Sequence, residues 1–274
     1  MAALHPVTLI TGASAGIGTA LARKFAAKGH DLVLVARREA QLNTVAAEIV
    51  AAGGKLPVVV AIDLTRIDAP VRLAHELGSR GLEPEIVVNN AGFGLLGLAA
   101  ELDRGEQLAM IDLNVRALTD LSLRFVDSLA RHKGGVLNVG SVAGFLPGPG
   151  MAVYYATKAY VLSFSEALHK ELSPRGVRVS VLCPGPVPTE FQAHAGMGDV
   201  SAKSLLGCTP EEIADVGYDG FMAGKRVILP DLPNKIVPLI PRLLPRSWVL
   251  AITDLTGRRK RQREEPGWPR KRGA

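Results

Sequence analysis

The chain has 274 residues, 47% of them hydrophobic and 21% charged, enough for one large α/β domain or two small ones with a sizeable core. Cys183 and Cys208 are its only cysteines, too few for a disulfide framework and in keeping with a reducing compartment. The net charge of +6 arises entirely in residues 257–274, where eight cations face Glu264 and Glu265, so attraction to acidic partners belongs to this tail and not to the body.

In chain order, residues 7–10 form a short apolar strand, followed by the turn Thr11-Gly12-Ala13-Ser14-Ala15-Gly16-Ile17-Gly18. Ile17, Leu21 and Phe25 then recur at helical spacing until Gly29. Glycines between a strand and a helix let backbone N–H groups approach a ligand, and the helix N-terminus offers those donors to a phosphate. Residues 31–36 read as a second, almost wholly apolar strand, as a strand covered on both faces requires. It ends in Arg37 and Arg38, with no carboxylate before Glu39. An acid at this point would bind the ribose hydroxyls of NAD, whereas an arginine suits the 2′-phosphate of NADP. Arg37 is the first choice for that contact and Arg38 the second. The alternative is a solvated helix start, although the dipole disfavours arginine there without an anion.

Leu42, Val45, Ala46 and Ile49 make a helical stripe that ends at Gly53 and Gly54. Residues 57–62 are a third strand leading to Asp63 and Leu64. Asp63 can accept from an adenine amino group, cap the next helix, or both. A helix over about 67–77 precedes a fourth strand over 85–89, which opens into Asn89-Asn90-Ala91-Gly92. The small residues allow a cofactor to lie against the backbone, and the asparagine pair can pin neighbouring strand ends. Residues 104–131 read as one or two long helices, with Asn114 at a position where asparagine costs helix propensity. A fifth strand over 135–140 ends at Ser141, a helix over 151–172 follows, and a sixth strand over 177–183 closes in Pro184-Gly185-Pro186-Val187-Pro188-Thr189. Thr209 caps a helix over 210–222, and 225–229 is a last strand.

Unbroken strand–helix alternation predicts a doubly wound α/β domain of Rossmann type, with a seven-stranded parallel sheet flanked by helices. Ligands in such sheets bind at the carboxyl ends of the strands, where these candidate residues fall. Tyr154 and Lys158 lie four residues apart, on one helix face. A phenol ordinarily titrates near pH 10, and bringing it to about 7 takes roughly 4 kcal/mol. The sequence reading expects Lys158 to supply much of this and lower the Tyr154 pKa.

The residues together resemble the short-chain dehydrogenase/reductase family over about 5–230. Thr11-Gly12-x-x-x-Gly16-x-Gly18 resembles its cofactor turn, and Asn89-Asn90-Ala91-Gly92 its fourth-strand motif. Ser141 and Tyr154-x-x-x-Lys158, with a gap of 13 from serine to tyrosine, resemble its catalytic set, and Asn114 the fourth member. Pro184, Gly185 and Thr189 resemble its carboxamide-side motif. The resemblance implies NADP(H) held by Gly12, Ser14, Ala15, Gly16, Ile17 and Gly18, by Arg37, Arg38, Asp63 and Leu64, and by Asn90, Ala91 and Gly92. Tyr154, Lys158, Pro184, Gly185, Val187 and Thr189 complete that site. It implies further that Tyr154 is the general acid/base, that Ser141 holds the substrate oxygen, and that Lys158 binds the nicotinamide ribose. Asn114 would hold a water that relays protons to Lys158. No metal site is read.

The family's specificity segment corresponds to 190–207, an apolar lid containing Phe191, His194, Met197, Leu205 and Leu206, with Lys203 its only formal cation. It favours a lipophilic ketone or aldehyde, and His194 reads as a lid surface residue. The domain organisation expected is a catalytic domain over 1–232, an apolar proline-interrupted extension over 233–256, and a basic disordered tail over 257–274. Residues 234–250 can cover the active-site mouth, form a subunit contact, or lie on a membrane surface. The opening residues lack the features of a secretory leader, and no apolar run of about 18 residues exists to span a bilayer. The expectation is a cytoplasmic NADPH-dependent carbonyl reductase, peripheral membrane contact remaining open, with a homo-oligomer (dimer or tetramer) implied by the resemblance and no nucleic-acid partner. The alternatives are an NADP-dependent alcohol dehydrogenase working oxidatively and a non-catalytic NADP(H)-binding regulator.

Overall fold

A computed structural model of the protein describes residues 4–187, 208–230 and 236–264, with the backbone alone at 242 and 256–264. The expected lid over 190–207 and Thr189 lie outside the described residues. Seven strands form one parallel sheet: β1 (His5–Thr11), β2 (Leu32–Ala36), β3 (Val58–Ala61), β4 (Leu82–Asn89), β5 (Gly135–Val139), β6 (Arg178–Leu182) and β7 (Val227–Ile228). Their spatial order is β3-β2-β1-β4-β5-β6-β7. The order reverses between β1 and β4, so the two chain directions part there and leave a crevice at the carboxyl edge.

The strands are apolar on both faces because helices cover both. Helices α1 (Gly16–Ala27) and α2 (Glu39–Ala51) pack on one side, where Leu21, Phe25, Leu42 and Ile49 are buried with Ile10, Leu34 and Val88 of the sheet. Helix α3 (Ala69–Ser79) serves the other face, where Leu73 and Leu77 meet Leu9, Val33 and Val87. The four residues of the α2 stripe, Leu42, Val45, Ala46 and Ile49, are all buried.

Residues 104–131 are more broken than the periodicity suggested. Helix α4 (Arg104–Ile111) passes into a π-helical stretch, Asp112–Ala117, then into α5 (Leu118–Arg124) and α6 (Val126–Arg131). The extra residue per turn of a π-helix rotates the chain, and such turns gather at functional sites. Asn114 sits within this stretch and is buried. Helix α7 (Ala152–Leu172) packs beside β5 and β6, and α8 (Pro210–Met222) covers α1. Thr209 caps α8 in a reciprocal capping box with Glu212.

After β7 the chain forms α9 (Ile240–Leu243) and α10 (Arg246–Glu264). The tail expected to be disordered from 257 is therefore helical as far as 264. Val249 of α10 is buried, 1% exposed. A helix nucleated there continues through arginine, lysine and glutamine, which are good helix formers and complement the dipole at a C-terminus. No helix among the described residues is long and apolar enough to cross a membrane.

Candidate active site

A cleft of about 450 Å³ opens at the carboxyl edge of the sheet. At one end Gly12 has φ +65°, and a Cβ there would sit 2.8 Å from Ala91 Cα and Asn90 Nδ2. Only glycine allows this turn to close on the fourth-strand motif. Gly18 does something else. A Cβ there would fall 2.1 Å from the Gly12 carbonyl oxygen, so Gly18 brings α1 against the turn and does not line the cleft. Gly18 therefore has a packing role.

Thr11, which sequence reasoning passed over, organises this corner. Its Oγ1 donates to the Val88 carbonyl oxygen at 3.2 Å and accepts from the N–H groups of Asn90 and Ala91 at 3.0 and 3.1 Å. Asn90 Nδ2 donates back to the carbonyl oxygens of Thr11 and Gly12 at 3.0 and 3.1 Å. Asn89 Nδ2 donates to Asn138 Oδ1 at 2.9 Å, so the asparagine pair does pin adjacent strand ends.

Helix α1 begins at Ala15 with no side-chain cap and no acidic residue in its first turn. Its first N–H groups are left for a ligand, which suits a phosphate. Arg37 is exposed, while Arg38 is half-buried and donates to Ser14 Oγ at 3.4 Å. The structure thus holds Arg38, the second choice, against the phosphate turn, while Arg37, the first, is exposed and also lines the cleft. Asp63 Oδ1 accepts from Thr65 N at 3.0 Å and Thr65 Oγ1 at 2.8 Å. It does not cap α3, which starts six residues later behind Asp68. Ser14, Ala15, Gly16, Ile17, Leu64, Asn90, Ala91 and Gly92 all line the cleft, so this end fits a dinucleotide.

The other end brings together residues 17 positions apart in the chain, from Ser141 to Lys158. Ser141 follows β5 in extended backbone, and its Oγ accepts from Ala143 N at 3.1 Å. The Tyr154 hydroxyl hydrogen-bonds to Ser141. Lys158 is 6% exposed, donates to the Val139 carbonyl oxygen at 2.8 Å, and stands 5.9 Å from the centre of the Tyr154 ring. Pro184, Gly185 and Val187 face this group across the cleft.

Asn114 lies behind it. Its Nδ2 donates to the Phe93 carbonyl oxygen at 2.9 Å and to Thr157 Oγ1 at 3.1 Å, and its Oδ1 accepts from Phe93 N at 3.1 Å. Both amide hydrogens are thereby used, leaving one Oδ1 lone pair. A Cβ on Gly92 would come within 2.9 Å of that Oδ1 and 3.7 Å of Lys158 Nζ, so glycine keeps open the space between them.

Burial governs the protonation states. It pushes the Lys158 ammonium down to about 8. It pushes the Tyr154 phenol up to about 12, against the Ser141 hydrogen bond that pulls the other way. Lys158 is not among the groups that draw the phenol down here. The ammonium is directed at Val139, and loss of water costs the phenolate more than its neighbours return. Tyr154 is a neutral phenol at pH 7. Cys183, behind the site and fully buried, is likewise pushed up to about 12 and is no nucleophile.

Several cleft residues, among them Phe93, Leu146, Met151, Tyr155 and Val237, were not singled out by sequence as site residues. Val237 comes from the extension, so that segment does reach the cleft mouth.

The family model described as short chain dehydrogenase matches residues 6–198. A sulfoacetaldehyde reductase of Chromohalobacter salexigens is 37% identical over 215 residues, covering 75% of this chain and 84% of that enzyme. Among solved structures, a short-chain dehydrogenase from Sphingobium yanoikuyae in complex with NADPH is 32% identical, with a TM-score of 0.75 and 98% of each chain covered. The bulky-bulky ketone specific alcohol dehydrogenase from Comamonas testosteroni is 28% identical, with a TM-score of 0.70 and coverage of 99% and 97%.

Proposed function

This chain belongs to the short-chain dehydrogenase/reductase family, an NAD(P)-dependent oxidoreductase acting between CH–OH and C=O, and on that premise we propose that it is an NADPH-dependent reductase of a neutral, largely apolar ketone or aldehyde. The observation that carries this reading is the Ser141–Tyr154–Lys158 group, which ends a cleft whose further wall is Phe93, Leu146, Met151 and Val237. NADP(H) is favoured over NAD(H) by Arg38 against Ser14 and by the absence of a carboxylate at the end of β2. The solved relative's NADPH points the same way.

When bound, the cofactor supplies the hydride. Ser141 Oγ donates to the substrate carbonyl oxygen and stabilises the charge that develops there. Tyr154, a neutral phenol, donates its proton to the same oxygen as general acid. Lys158, still protonated at pH 7 although burial brings it down to about 8, is placed to bind the ribose and to return a proton to Tyr154. Asn114 holds a relay water through its remaining Oδ1 lone pair, in the space Gly92 leaves. The phenol's protonation favours the reductive direction, since oxidation needs the phenolate.

The name of the Chromohalobacter relative specifies an anionic aldehyde, and that of the Comamonas relative a bulky ketone. Among the described residues, the charged side chains lining the cleft are Arg37, Arg38, Asp63 and Lys158. The first three lie at the ends of β2 and β3, away from Tyr154, and Lys158 is held by Val139. No described cation stands ready for an anionic substrate, which supports the neutral class. Titration with NADPH and with NADH, followed by nicotinamide fluorescence, tests the cofactor assignment: NADPH should bind at least tenfold tighter, and equal affinities would overturn it.

A further inference from the structure

Tyr155 follows Tyr154 on α7 and lines the same cleft. Its ring is held on several sides. A Cβ at Gly148 would fall 2.2 Å from Tyr155 Cδ2, 2.3 Å from Cγ and 2.5 Å from Cδ1. The ring therefore lies on bare backbone that only glycine provides. Those atoms are at the root of the ring, so no small swing of the side chain relieves the contact. Met151 and Leu96 pack beside it, and the Tyr154 ring meets it edge to face with centroids 6.1 Å apart. Gly148 is itself anchored, its carbonyl oxygen accepting from Met151 N at 3.0 Å, and Tyr155 N donates to the Met151 carbonyl oxygen at the same distance.

A side chain so constrained carries a hydroxyl with no hydrogen-bond partner among the described residues. The hydroxyl is open to the cleft, where water or a ligand meets it. Burial raises the Tyr155 phenol, so the group is a neutral O–H donor at pH 7. Met151 and Leu96 pack with it, and Leu146 and Val237 line the same cleft. A lone donor in an apolar wall, one residue from the group that protonates the substrate, fixes orientation more than it adds affinity.

Resting on the reductase reading above, we infer that Tyr155 is a second substrate-recognition group, donating a hydrogen bond to a neutral acceptor (an ester, ether or second carbonyl oxygen) that the substrate carries near its reacting carbonyl. The site thus selects bifunctional neutral ketones over simple ones. A site built around a donor rejects an analogue that leaves it unpaired. Gly148 is a positioning residue that acts through the ring.

The test compares ethyl acetoacetate with methyl pentyl ketone, which match in chain length, as substrates of wild type and Tyr155→Phe with NADPH. The variant keeps the ring and removes only the hydroxyl. Its kcat/KM for the keto ester should fall about tenfold, the loss of one neutral hydrogen bond in a partly desolvated site, while that for the plain ketone stays within about twofold. Gly148→Ala, which displaces the ring, should lose the same preference. Equal changes for both ketones, or none for either, would overturn the inference. A readout without turnover separates it from the reductase reading. Ethyl hydroxybutyrate forms a dead-end complex with the NADPH-bound protein, and its affinity, read from nicotinamide fluorescence, should weaken about tenfold in Tyr155→Phe. If that weakening is seen while neither ketone is reduced by wild type, the reductase reading fails and the Tyr155 contact stands. If the affinity is unchanged, the Tyr155 contact fails whatever the activity.

Discussion

Lys158 Nζ donates to the Val139 carbonyl oxygen at 2.8 Å, tying α7 to the carboxyl end of β5 beneath the Tyr154 ring. The bond holds a cation in a place where burial opposes it. In the folded chain the lysine titrates at about 8 against an ordinary 10.5. At pH 7 both states carry the proton, and the folded state bears the cost of burying it. Between about 8 and 10.5 the unfolded chain keeps a proton that the folded chain has released, so stability rises with pH across that window.

Lys158→Met should therefore stabilise the protein without cofactor. Removing the buried charge gains at most about 3 kcal/mol at pH 7, and the unpaired Val139 carbonyl returns about 1. Chemical denaturation at pH 7 should show a net gain of roughly 2 kcal/mol, shrinking toward pH 10, with activity lost. A variant less stable than wild type at pH 7 would contradict this account of the site's electrostatics.

The pH profiles of the two directions should differ. With Tyr154 at about 12, the proton donor is fully present at neutral pH, so the reductive kcat is flat from about pH 6 to 7 and declines only as Lys158, which returns the proton, deprotonates near 8. The oxidative kcat needs the phenolate and climbs with pH through the alkaline range. A reductive rate that falls already between about pH 6 and 7 would mean that the tyrosine ionises far earlier.

Arg38→Ala should weaken NADPH binding by more than about tenfold and leave NADH within about twofold, since NADH lacks the 2′-phosphate that this arginine would meet. Arg37→Ala, at an exposed side chain, should have a smaller effect. The reverse ranking would restore the order that the sequence suggested.

Gly18→Ala should be among the most damaging small changes. Its methyl group would meet the Gly12 carbonyl oxygen at 2.1 Å, where only backbone can move. Overpacking of this kind costs about 3 kcal/mol or more, read as a lowered Tm, and the distorted turn should also weaken NADPH binding.

Much of this was legible in the chain itself. The alternation of apolar strands with helical stripes defines the sheet, because a strand covered on both faces cannot hide its composition. The spacing from Ser141 to Tyr154 and Lys158 marks the chemical end of the cleft, because a helix face and a strand end set those positions locally. Other features were not local. Thr11 serves three backbone groups through contacts with β4, and one threonine in a glycine turn gives no hint of them. The ranking of Arg37 and Arg38 depends on which side chain turns back toward Ser14, a matter of one backbone rotation at the start of α2. The π-helix around Asn114 interrupts an otherwise helical pattern without a proline or glycine to announce it. Tyr154's raised pKa reflects burial, which no neighbour in sequence reveals. Tyr155, next to Tyr154 on α7, gains meaning when Gly148 is found beneath its ring.

The central claim is that Tyr154 protonates a neutral carbonyl compound reduced with NADPH. The most direct measurement follows NADPH consumption with a panel of neutral apolar ketones and aldehydes, comparing wild type with Tyr154→Phe at matched cofactor saturation. Turnover by wild type that falls about a thousandfold in the variant, with NADPH affinity kept within about twofold, is the predicted result. Equal turnover by both proteins, or tight NADPH binding with no turnover of any member of the panel, would contradict it.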